Sequence, residues 1–371
     1  MYEEKFKRAQ LKAEEEDRPD RRMEPIIRDD IPSFMELPIA RTADELKGND
    51  IAVIGIPYEG LKIVNPRTYW PMEAGNPDEE EPQIFARTGA YLCPEFVRKN
   101  SIHYNMTQGY GFLPEAGQGY CLMKHLNAID YCDTPIDKKK SVEGIMDDIR
   151  SKIKDIYRAG AVPMVIGGDH TIPAPVFEAL AETTEGNFGV IDFDSHFDMS
   201  YTPKYWAGSQ WASCFETGKL KPENFVQIGI RGIRQSYFWK YVQEELGYKY
   251  FTIRDIEEQG IRKVVEQAIQ IAANGTKGIY ISLDYDCLDV ALAPGQKYPD
   301  VAGITTREML TALRMISETK PIYGFDVCCM SPRYDVQGIG AQMVGRAIME
   351  VMMGIAKYKA DNVEKKIEKE L

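Results

Sequence analysis

Eight short apolar runs constrain the fold of this 371-residue chain more than any other feature of its sequence. They are rich in β-branched residues, and each is too short to form a core helix. From about residue 140 onward helical patterns separate most of them, and strands that alternate with helices build a mostly parallel sheet covered on both faces. The runs lie at 51–56, 128–129, 163–166, 188–191, 225–230, 248–253, 278–283 and 322–325. The sequence therefore predicts an α/β fold, with an active site at the carboxyl ends of the strands.

Two helices are predicted together with their boundaries. Between residues 142 and 159 apolar side chains recur on one helix face, with Ser141 as the N-cap and Gly160 just past the end. A second helix begins at Thr305, which has capping-box spacing to Glu308.

The chain divides into a charged N-terminal extension, residues 1–47, and one domain, residues 48–371. We interpret the extension as a solvated arm, helical or partly disordered, that lies over the body or over a neighbouring subunit. A proline-rich insertion at 57–100 interrupts the regular pattern, and a loop of this length in a compact domain is usually functional or mobile. Its residues Tyr69 and Trp70 are candidates to line a pocket, although a subunit contact explains the insertion equally well.

Composition and charge limit the classes of function. The formal net charge of −12 argues against a nucleic-acid partner or an anionic membrane and is compatible with a cationic substrate. The seven cysteines include no C-x-x-C pair, so we interpret them as reduced thiols. No stretch approaches the roughly 18 apolar residues of a membrane span, and the charged N-terminus has no apolar secretory segment. We therefore expect a cytoplasmic protein without a membrane or nucleic-acid partner.

Three segments with metal-ligand residues follow predicted strands. The first is Gly-Gly-Asp-His at 167–170, where the glycines allow a sharp turn at the edge of the sheet. The second is a D-x-H-x-D run at 194–198, and the third is a D-x-D run at 284–286. Residues two apart in an extended strand face one side, so each set is expected to converge on one point. The candidate ligands are His170, Asp194, His196, Asp198, Asp284 and Asp286.

These two imidazoles and four carboxylates form a hard, oxygen-rich set that suits Mn²⁺ or a similar divalent ion. Six ligands exceed what one open catalytic ion needs, so a pair of ions with one bridging carboxylate fits better. The Gly-Gly-Asp-His turn alone is more often a turn with a capping Asp, but the three segments together argue against a purely structural role. The remaining histidines, His103 and His125, lie in the irregular N-terminal third, where a surface or core position is the default.

The three segments resemble the signatures of the ureohydrolase family, which includes arginases and agmatinases. The third continues as Ser-Leu-Asp-Tyr-Asp-Cys-Leu-Asp-Val-Ala-Leu-Ala-Pro-Gly at 282–295, and Ala-Arg-Thr-Gly at 86–89 is similar to an early turn of the family. The agmatinase-like resemblance runs from about residue 51 to 355. It implies a three-layer α/β/α sandwich with an eight-stranded parallel sheet and a dinuclear Mn²⁺ centre. It also implies hydrolysis of a small cationic guanidino compound to urea and an amine by a homo-oligomer, either a trimer or a hexamer.

The resemblance implies a role for each candidate ligand. The ligands of one ion would be His170, Asp194, Asp198 and either Asp284 or Asp286. His196 would bind the other ion with the remaining carboxylates. Asp198 would also act as the catalytic residue that hydrogen-bonds the attacking hydroxide and passes its proton to the departing amine. Because a guanidinium stays protonated and resonance-stabilised, only a strong nucleophile held in contact range attacks its carbon.

Two positions depart from the family's pattern. Where family members carry a His-Gly pair after the second signature, this chain has Ala207, and where they carry a Glu that pairs with the guanidinium, it has Cys329. A thiol cannot form the bidentate contact that a carboxylate gives. With Trp211 and Met330 also near these positions, we expect a small, weakly polar pocket suited to free guanidine or an alkylguanidine. The candidate substrate-binding residues are Thr88, Trp206, Gln210 and Cys329.

Two alternatives stay open on the sequence alone. One is a non-catalytic subunit that keeps its metal ligands and works in a hetero-oligomer. The other is a different dinuclear-metal amidine hydrolase, for instance one that acts on a formimino group. Phosphoesters are disfavoured because no cluster of Arg or Lys accompanies the ligands, and a related deacetylase would hold a single Zn²⁺. The ligand set also accepts Ni²⁺ or Co²⁺ in place of Mn²⁺.

Overall fold

A computed structural model describes residue 4 and residues 26–60, 87–102, 125–201 and 203–364. All eight predicted strands are confirmed within these ranges. They are β1 Ile51–Ile56, β2 Ala128–Asp133, β3 Val162–Gly167, β4 Gly189–Phe193, β5 Phe225–Ile230, β6 Lys249–Thr252, β7 Ile279–Asp284 and β8 Ile322–Cys328. The strands form one parallel sheet in the order β2-β1-β3-β8-β7-β4-β5-β6.

The described helices are α1 Cys93–Ser101, α2 Val142–Arg158, α3 Pro173–Thr183, α4 Gln210–Glu216, α5 Phe238–Tyr241, α6 Ile253–Gln259, α7 Ile261–Ala272, α8 Thr306–Thr319 and α9 Ile339–Lys359. The predicted caps are confirmed. The hydroxyl of Ser141 accepts a hydrogen bond from the backbone N–H of Gly144 at the start of α2. Thr305 and Glu308 form the reciprocal capping box at the start of α8.

Alternate residues of each strand enter two different cores. In β1, Ile51 and Val53 pack into one core, whereas Ala52 and Ile54 pack into the other. The first core also contains side chains of α1, α7, α8 and α9, and the second contains side chains of α2, α3 and α4. The predicted three-layer α/β/α sandwich is therefore confirmed.

Part of the N-terminal extension packs against this body. Phe34 and Met35 are fully buried, and their backbone N–H groups donate to the side chains of Asp130 and Ser101, both at 2.8 Å. The division of the chain at residue 47 stays a prediction. The predicted insertion ends in α1, and Pro94 stands in the first turn of this helix, where proline is tolerated.

Several sequence interpretations lie outside the described residues. They concern most of the extension, the central part of the insertion at 61–86 with Tyr69 and Trp70, and His103.

The segment Ile339–Asn362 is long and apolar enough to cross a membrane by length and composition alone. Its most apolar window is 72% buried inside the protein, which is typical of the core helix of a soluble fold. This helix packs against α8, α1 and the sheet.

The four central strands of the sheet are β3, β8, β7 and β4, and their carboxyl ends lie along the same edge. β3 and β4 follow each other in the chain, but β8 and β7 lie between them in the sheet. From β4 the chain continues to β5 and β6 on one side, whereas from β7 it continues to β8 on the other, so a crevice is expected at the carboxyl ends of β7 and β4. All three ligand segments follow strands of this central group.

Candidate metal centre

A close approach of two backbones fixes the turn that carries His170. A Cβ atom on Gly168 would lie 1.6 Å from the carbonyl oxygen of Tyr58, so no other residue fits there. The adjacent Asp169 N–H donates to that same oxygen at 2.9 Å. The carboxylate of Asp169 accepts hydrogen bonds from the N–H groups of Gly60 and Thr171, so it stabilises the turn.

His170 lies at the centre of the first group of candidate ligands. Its Nδ1 atom is 3.2 Å from Oδ2 of Asp194 and 3.3 Å from Oδ2 of Asp284. The ligand atoms of these three residues lie within 4.8 Å of one another, a spacing that one metal ion can bridge. Oδ2 of Asp198 lies 3.0 Å from the same ring nitrogen.

The second group contains Asp194, His196 and Asp286, again with ligand atoms within 4.8 Å of one another. Nδ1 of His196 is 3.5 Å from Oδ1 of Asp194 and 3.3 Å from Oδ2 of Asp286. Asp194 belongs to both groups and presents a different oxygen to each histidine. Two adjacent sites with one shared carboxylate are the arrangement expected of a dinuclear centre.

The ligands do not converge by strand alternation, as the sequence pattern suggested. β4 ends at Phe193, and the residues after it form an irregular loop in which Asp198 has a φ of +50°. Asp286 lies in a short 3₁₀ turn, where its N–H donates to Oδ1 of Asp284 at 2.9 Å. The prediction that Asp284 and Asp286 share one face was therefore wrong, because the turn sends them to different groups.

Burial and unpaired oxygens indicate that this cluster suits cations. His196 is the most exposed of the six candidate ligands, at only 6%. Oδ2 of Asp194 and Oδ2 of Asp286 are buried and accept no hydrogen bond within the part of the chain that the structure describes. Buried carboxylates normally have partners, and divalent ions with a preference for oxygen and nitrogen ligands would supply them here.

Repulsion between the buried carboxylates also indicates a cation site. Burial, and then the neighbouring Asp286, raise the pKa of Asp284 well above its usual range. Burial and Asp198 likewise raise the pKa of Asp194. Asp286 differs, because interaction with His196 overcomes the effect of burial and holds its pKa at about 2. Positive charge is therefore needed to keep all of these carboxylates ionised together.

Polar side chains that the sequence interpretation missed support the ligands. Ser282 lies between His170 and Asp326, and the hydroxyl of Ser195 donates to Oδ1 of Asp286 at 2.6 Å. Both serines lie inside segments that resemble the family signatures, so the sequence could have identified them as supporting residues. Gln235 hydrogen-bonds Asp198 from 37 residues away, and no local pattern marks it.

The structure brings two of the four candidate substrate-binding residues to the ligands. Burial, and then the neighbouring Asp284, raise the pKa of the Cys329 thiol well above its usual range, so Cys329 lies beside the candidate ligands. The amide of fully buried Gln210 lies 2.7 Å from Oδ2 of Asp198.

The other two candidates are not brought to the cluster by their described contacts. Trp206 is half-buried, and its backbone hydrogen bonds stay within its own turn. Thr88 is also half-buried, and it is held through its neighbours Arg87 and Gly89, whose N–H groups bind the Lys297 carbonyl and the Glu59 carboxylate. No described hydrogen bond or ring contact of Trp206 or Thr88 reaches the six ligands.

Aromatic rings stand against both histidines. Trp211 is fully buried and meets His170 edge-on, with 5.9 Å between ring centroids. Tyr298 meets His196 in the same manner at 6.0 Å. Met330 is buried in the core beside Cys329, and Ala207 is 7% exposed. Apolar surfaces thus accompany the metal ligands on both sides.

Comparisons with known proteins agree with this arrangement. The model of the "Arginase family" matches residues 75–354. The chain is 29% identical over 313 residues to proclavaminate amidinohydrolase of Streptomyces clavuligerus, covering 83% of this chain and 88% of that protein. It is 32% identical over 199 residues to formimidoylglutamase of Halalkalibacterium halodurans, covering 53% of this chain and 61% of that protein.

A solved structure, that of the Streptomyces clavuligerus proclavaminate amidino hydrolase, superposes with a TM-score of 0.71 at 25% identity. It covers 88% of this chain and 98% of that one. With the family match spanning more than half of the sequence, the chain belongs to the arginase family of metal-dependent amidino hydrolases.

Proposed function

We propose that this enzyme hydrolyses a small guanidino compound to urea and an amine, or to urea and ammonia when the substrate is guanidine itself, at a centre of two divalent ions. The observation that carries the proposal is the sharing of Asp194 between two ligand groups, each with one histidine. We further propose that Mn²⁺ is the metal, that the protein is a cytoplasmic homo-oligomer, and that the six candidate ligands bind the ions. Ni²⁺ and Co²⁺ suit the same ligands.

The residues of the site would divide the chemistry between them. Metal ions, when bound, lower the pKa of water and so supply a nucleophile near neutral pH. Asp198 would accept a proton from the attacking water and deliver it to the amine that leaves. Its carboxylate is buried beside His170, within the polar cluster, and is therefore close to the reacting atoms. The Asp198 carboxylate must hold a fixed position, because the guanidinium carbon is a poor electrophile and reacts only with a nucleophile held in contact range.

The walls of the site favour a small substrate. Cys329 is a neutral thiol beside Asp284, so it offers a guanidinium no second carboxylate. Trp211 and Tyr298 place rings beside the two histidines and limit the polar contacts that a long substrate tail would need. We therefore propose free guanidine or a short alkylguanidine as the substrate. The names of the relatives cover different amidino substrates, so identity at this level leaves the substrate open.

Urea release from a panel of compounds tests this proposal. The panel contains guanidine, methylguanidine, guanidinopropionate, agmatine and arginine, each offered to protein loaded with Mn²⁺, Ni²⁺ or Co²⁺. We expect the highest kcat/KM for guanidine or methylguanidine and loss of activity with a chelator. Asp198→Asn, which keeps the shape of the side chain, is the matched inactive control. Fastest turnover of agmatine would contradict the small-substrate proposal.

A formimino substrate is the second candidate, and the similarity to a formimidoylglutamase supports testing it. The products separate the two functions, because a formimino compound releases formamide and a guanidino compound releases urea. Formamide without urea would favour the second candidate. Bound metal without either product would favour a non-catalytic subunit.

A further inference from the structure

Two glutamine amides hold the carboxylate of Asp198. Nε2 of Gln210 donates to Oδ2 of Asp198 at 2.7 Å, and Nε2 of Gln235 donates to Oδ1 at 2.8 Å. Gln210 is the first residue of α4, whereas Gln235 follows β5. Two separate segments of the chain therefore each supply a donor to one oxygen of the same carboxylate.

Gln235 also fixes the backbone of Asp198. The N–H of Asp198 donates to Oε1 of Gln235 at 2.7 Å, so the two residues are joined by a reciprocal pair of hydrogen bonds. Their φ angles are +50° and +56°, in the left-handed region that residues other than glycine seldom adopt. The reciprocal pair stabilises this conformation and with it the direction of the Asp198 side chain.

Gln210 links Asp198 to a second ligand. Its Nε2 atom lies 2.9 Å from Nδ1 of His170, the ring atom that faces Asp194 and Asp284. Its Oε1 atom is buried and accepts no hydrogen bond from the residues that the structure describes. A fully buried amide with an unused acceptor thus lies between two candidate ligands.

The neutrality of both donors matters for a cation site. Lys or Arg at either position would also donate to Asp198, but its charge would cancel part of the attraction between the carboxylates and a divalent ion. An amide orients the carboxylate and leaves the negative charge of the site unchanged.

We propose that Gln210 and Gln235 are positioning residues that hold Asp198 ready to bind a metal ion without reducing the charge of the site. The inference rests on the proposed function, since it takes Asp198 as a ligand of the dinuclear centre. Outer partners of metal ligands typically change metal affinity by about 10–100-fold when they are removed.

The test is a double-mutant cycle read out by Mn²⁺ binding to metal-free protein. Gln210→Met removes the donor and keeps the volume of the side chain. We expect it to weaken the binding of one of the two Mn²⁺ ions by about tenfold in the wild-type background. In an Asp198→Ala background the same change should weaken Mn²⁺ binding several-fold less, because only the contact of Gln210 with His170 remains. Equal weakening in both backgrounds, or none in either, would overturn the inference.

Two further variants separate positioning from folding. Gln296 is as buried as Gln210, and its amide binds the Leu288 carbonyl and the Asp300 N–H, but it forms no described hydrogen bond to any of the six ligands. Gln296→Met should leave Mn²⁺ affinity unchanged whatever it does to stability. Gln235→Ala, at a half-buried position, should repeat the coupling to Asp198 if Gln210→Met does not fold.

The same samples distinguish this inference from the proposed function. Coupled Mn²⁺ binding without urea release from any guanidino compound would support the glutamine pair and contradict the proposed reaction. Urea release, together with equal effects of Gln210→Met on Mn²⁺ affinity in both backgrounds, would contradict the positioning role of the two glutamines. It would leave the proposed reaction unaffected.

Discussion

The Nε2 atom of His170 lies 3.1 Å from Oγ of Ser282, and that hydroxyl donates in turn to Oδ1 of Asp326 at 2.9 Å. With the hydroxyl proton directed at Asp326, we infer that the neutral imidazole carries its own proton on Nε2 and a lone pair on Nδ1. Nδ1 is the atom that faces Asp194 and Asp284. The pairing of β7 with β8 thus selects the tautomer of His170 that can bind a cation.

Ser282→Ala tests whether the hydrogen bonds from His170 to Ser282 and from Ser282 to Asp326 support metal binding. Loss of the hydroxyl removes the acceptor for Nε2–H, and we expect Mn²⁺ affinity at the His170 site to fall by about 10–100-fold. Calorimetric titration of metal-free protein measures the change. Ser317→Ala is the matched control, because Ser317 is a fully buried serine of α8 whose hydroxyl binds the Leu313 carbonyl. An equal loss of Mn²⁺ affinity in both variants would contradict a specific role for the Ser282 hydroxyl.

Gly168→Ala should prevent the turn that carries His170. The added Cβ would overlap the carbonyl of Tyr58, and a backbone atom cannot move aside as a flexible side chain can. We expect the variant to be unfolded or strongly destabilised in urea denaturation.

Gly144→Ala is the contrasting substitution. Gly144 lies in the first turn of α2, and its added Cβ would meet side-chain atoms at 3.5 Å or more, an ordinary contact. We expect it to stabilise the protein by up to about 1 kcal/mol, since alanine has the higher helix propensity. Similar effects of the two changes would contradict the steric argument.

The metal-free protein should become less stable as the pH rises. Burial opposes the charged form of His170, but the surrounding carboxylates of Asp284, Asp194 and Asp198 raise its pKa well above the usual range. The pKa values of Asp194 and Asp284 are raised as well. The folded chain then binds more protons than the unfolded chain, so the free energy of unfolding falls with pH.

This contribution is complete below the ordinary pKa values, about 4 for Asp and 6.5 for His, and is lost as the pH rises through the raised values. Urea denaturation between about pH 5 and pH 9 in a chelator measures it. Saturating Mn²⁺ should remove or reverse the decline, because metal binding displaces the protons. A chelated protein that gains stability over this range would contradict the assignment.

Arg98 should be among the most important side chains for stability outside the metal centre. Its guanidinium is fully buried and forms two hydrogen bonds to Asp130, with Nε–Oδ2 2.8 Å and Nη2–Oδ1 2.9 Å. Arg98→Met would leave a buried carboxylate unpaired and should cost about 3–5 kcal/mol in urea denaturation. The exposed pair of Arg254 and Glu258 is the control, and Arg254→Ala should leave the free energy of unfolding nearly unchanged. Comparable losses would contradict the importance of burial.

The sheet was predictable because its signal is local. Most of the strands are short apolar runs buried on both faces, as in β1, where every residue is buried. The capping signals of α2 and α8 also depend only on neighbouring residues, and both helices begin where these signals place them.

The internal geometry of the site was not predictable from spacing. The left-handed backbone of Asp198 depends on Gln235, which is 37 residues away in the chain. The separation of Asp284 from Asp286 depends on the 3₁₀ turn at the end of β7. Sequence patterns identify which side chains reach the sheet edge, whereas tertiary hydrogen bonds decide how these side chains are shared between the two groups.

The most direct test of the central claim is the number of metal ions per chain. Metal-free protein is loaded with Mn²⁺, freed of excess metal and examined by elemental analysis, with urea release from guanidine measured on the same sample. We predict two ions per folded chain, and one ion or none in an Asp194→Ala variant, because Asp194 serves both groups. A wild-type chain that remains folded and active with a single ion would contradict the dinuclear centre.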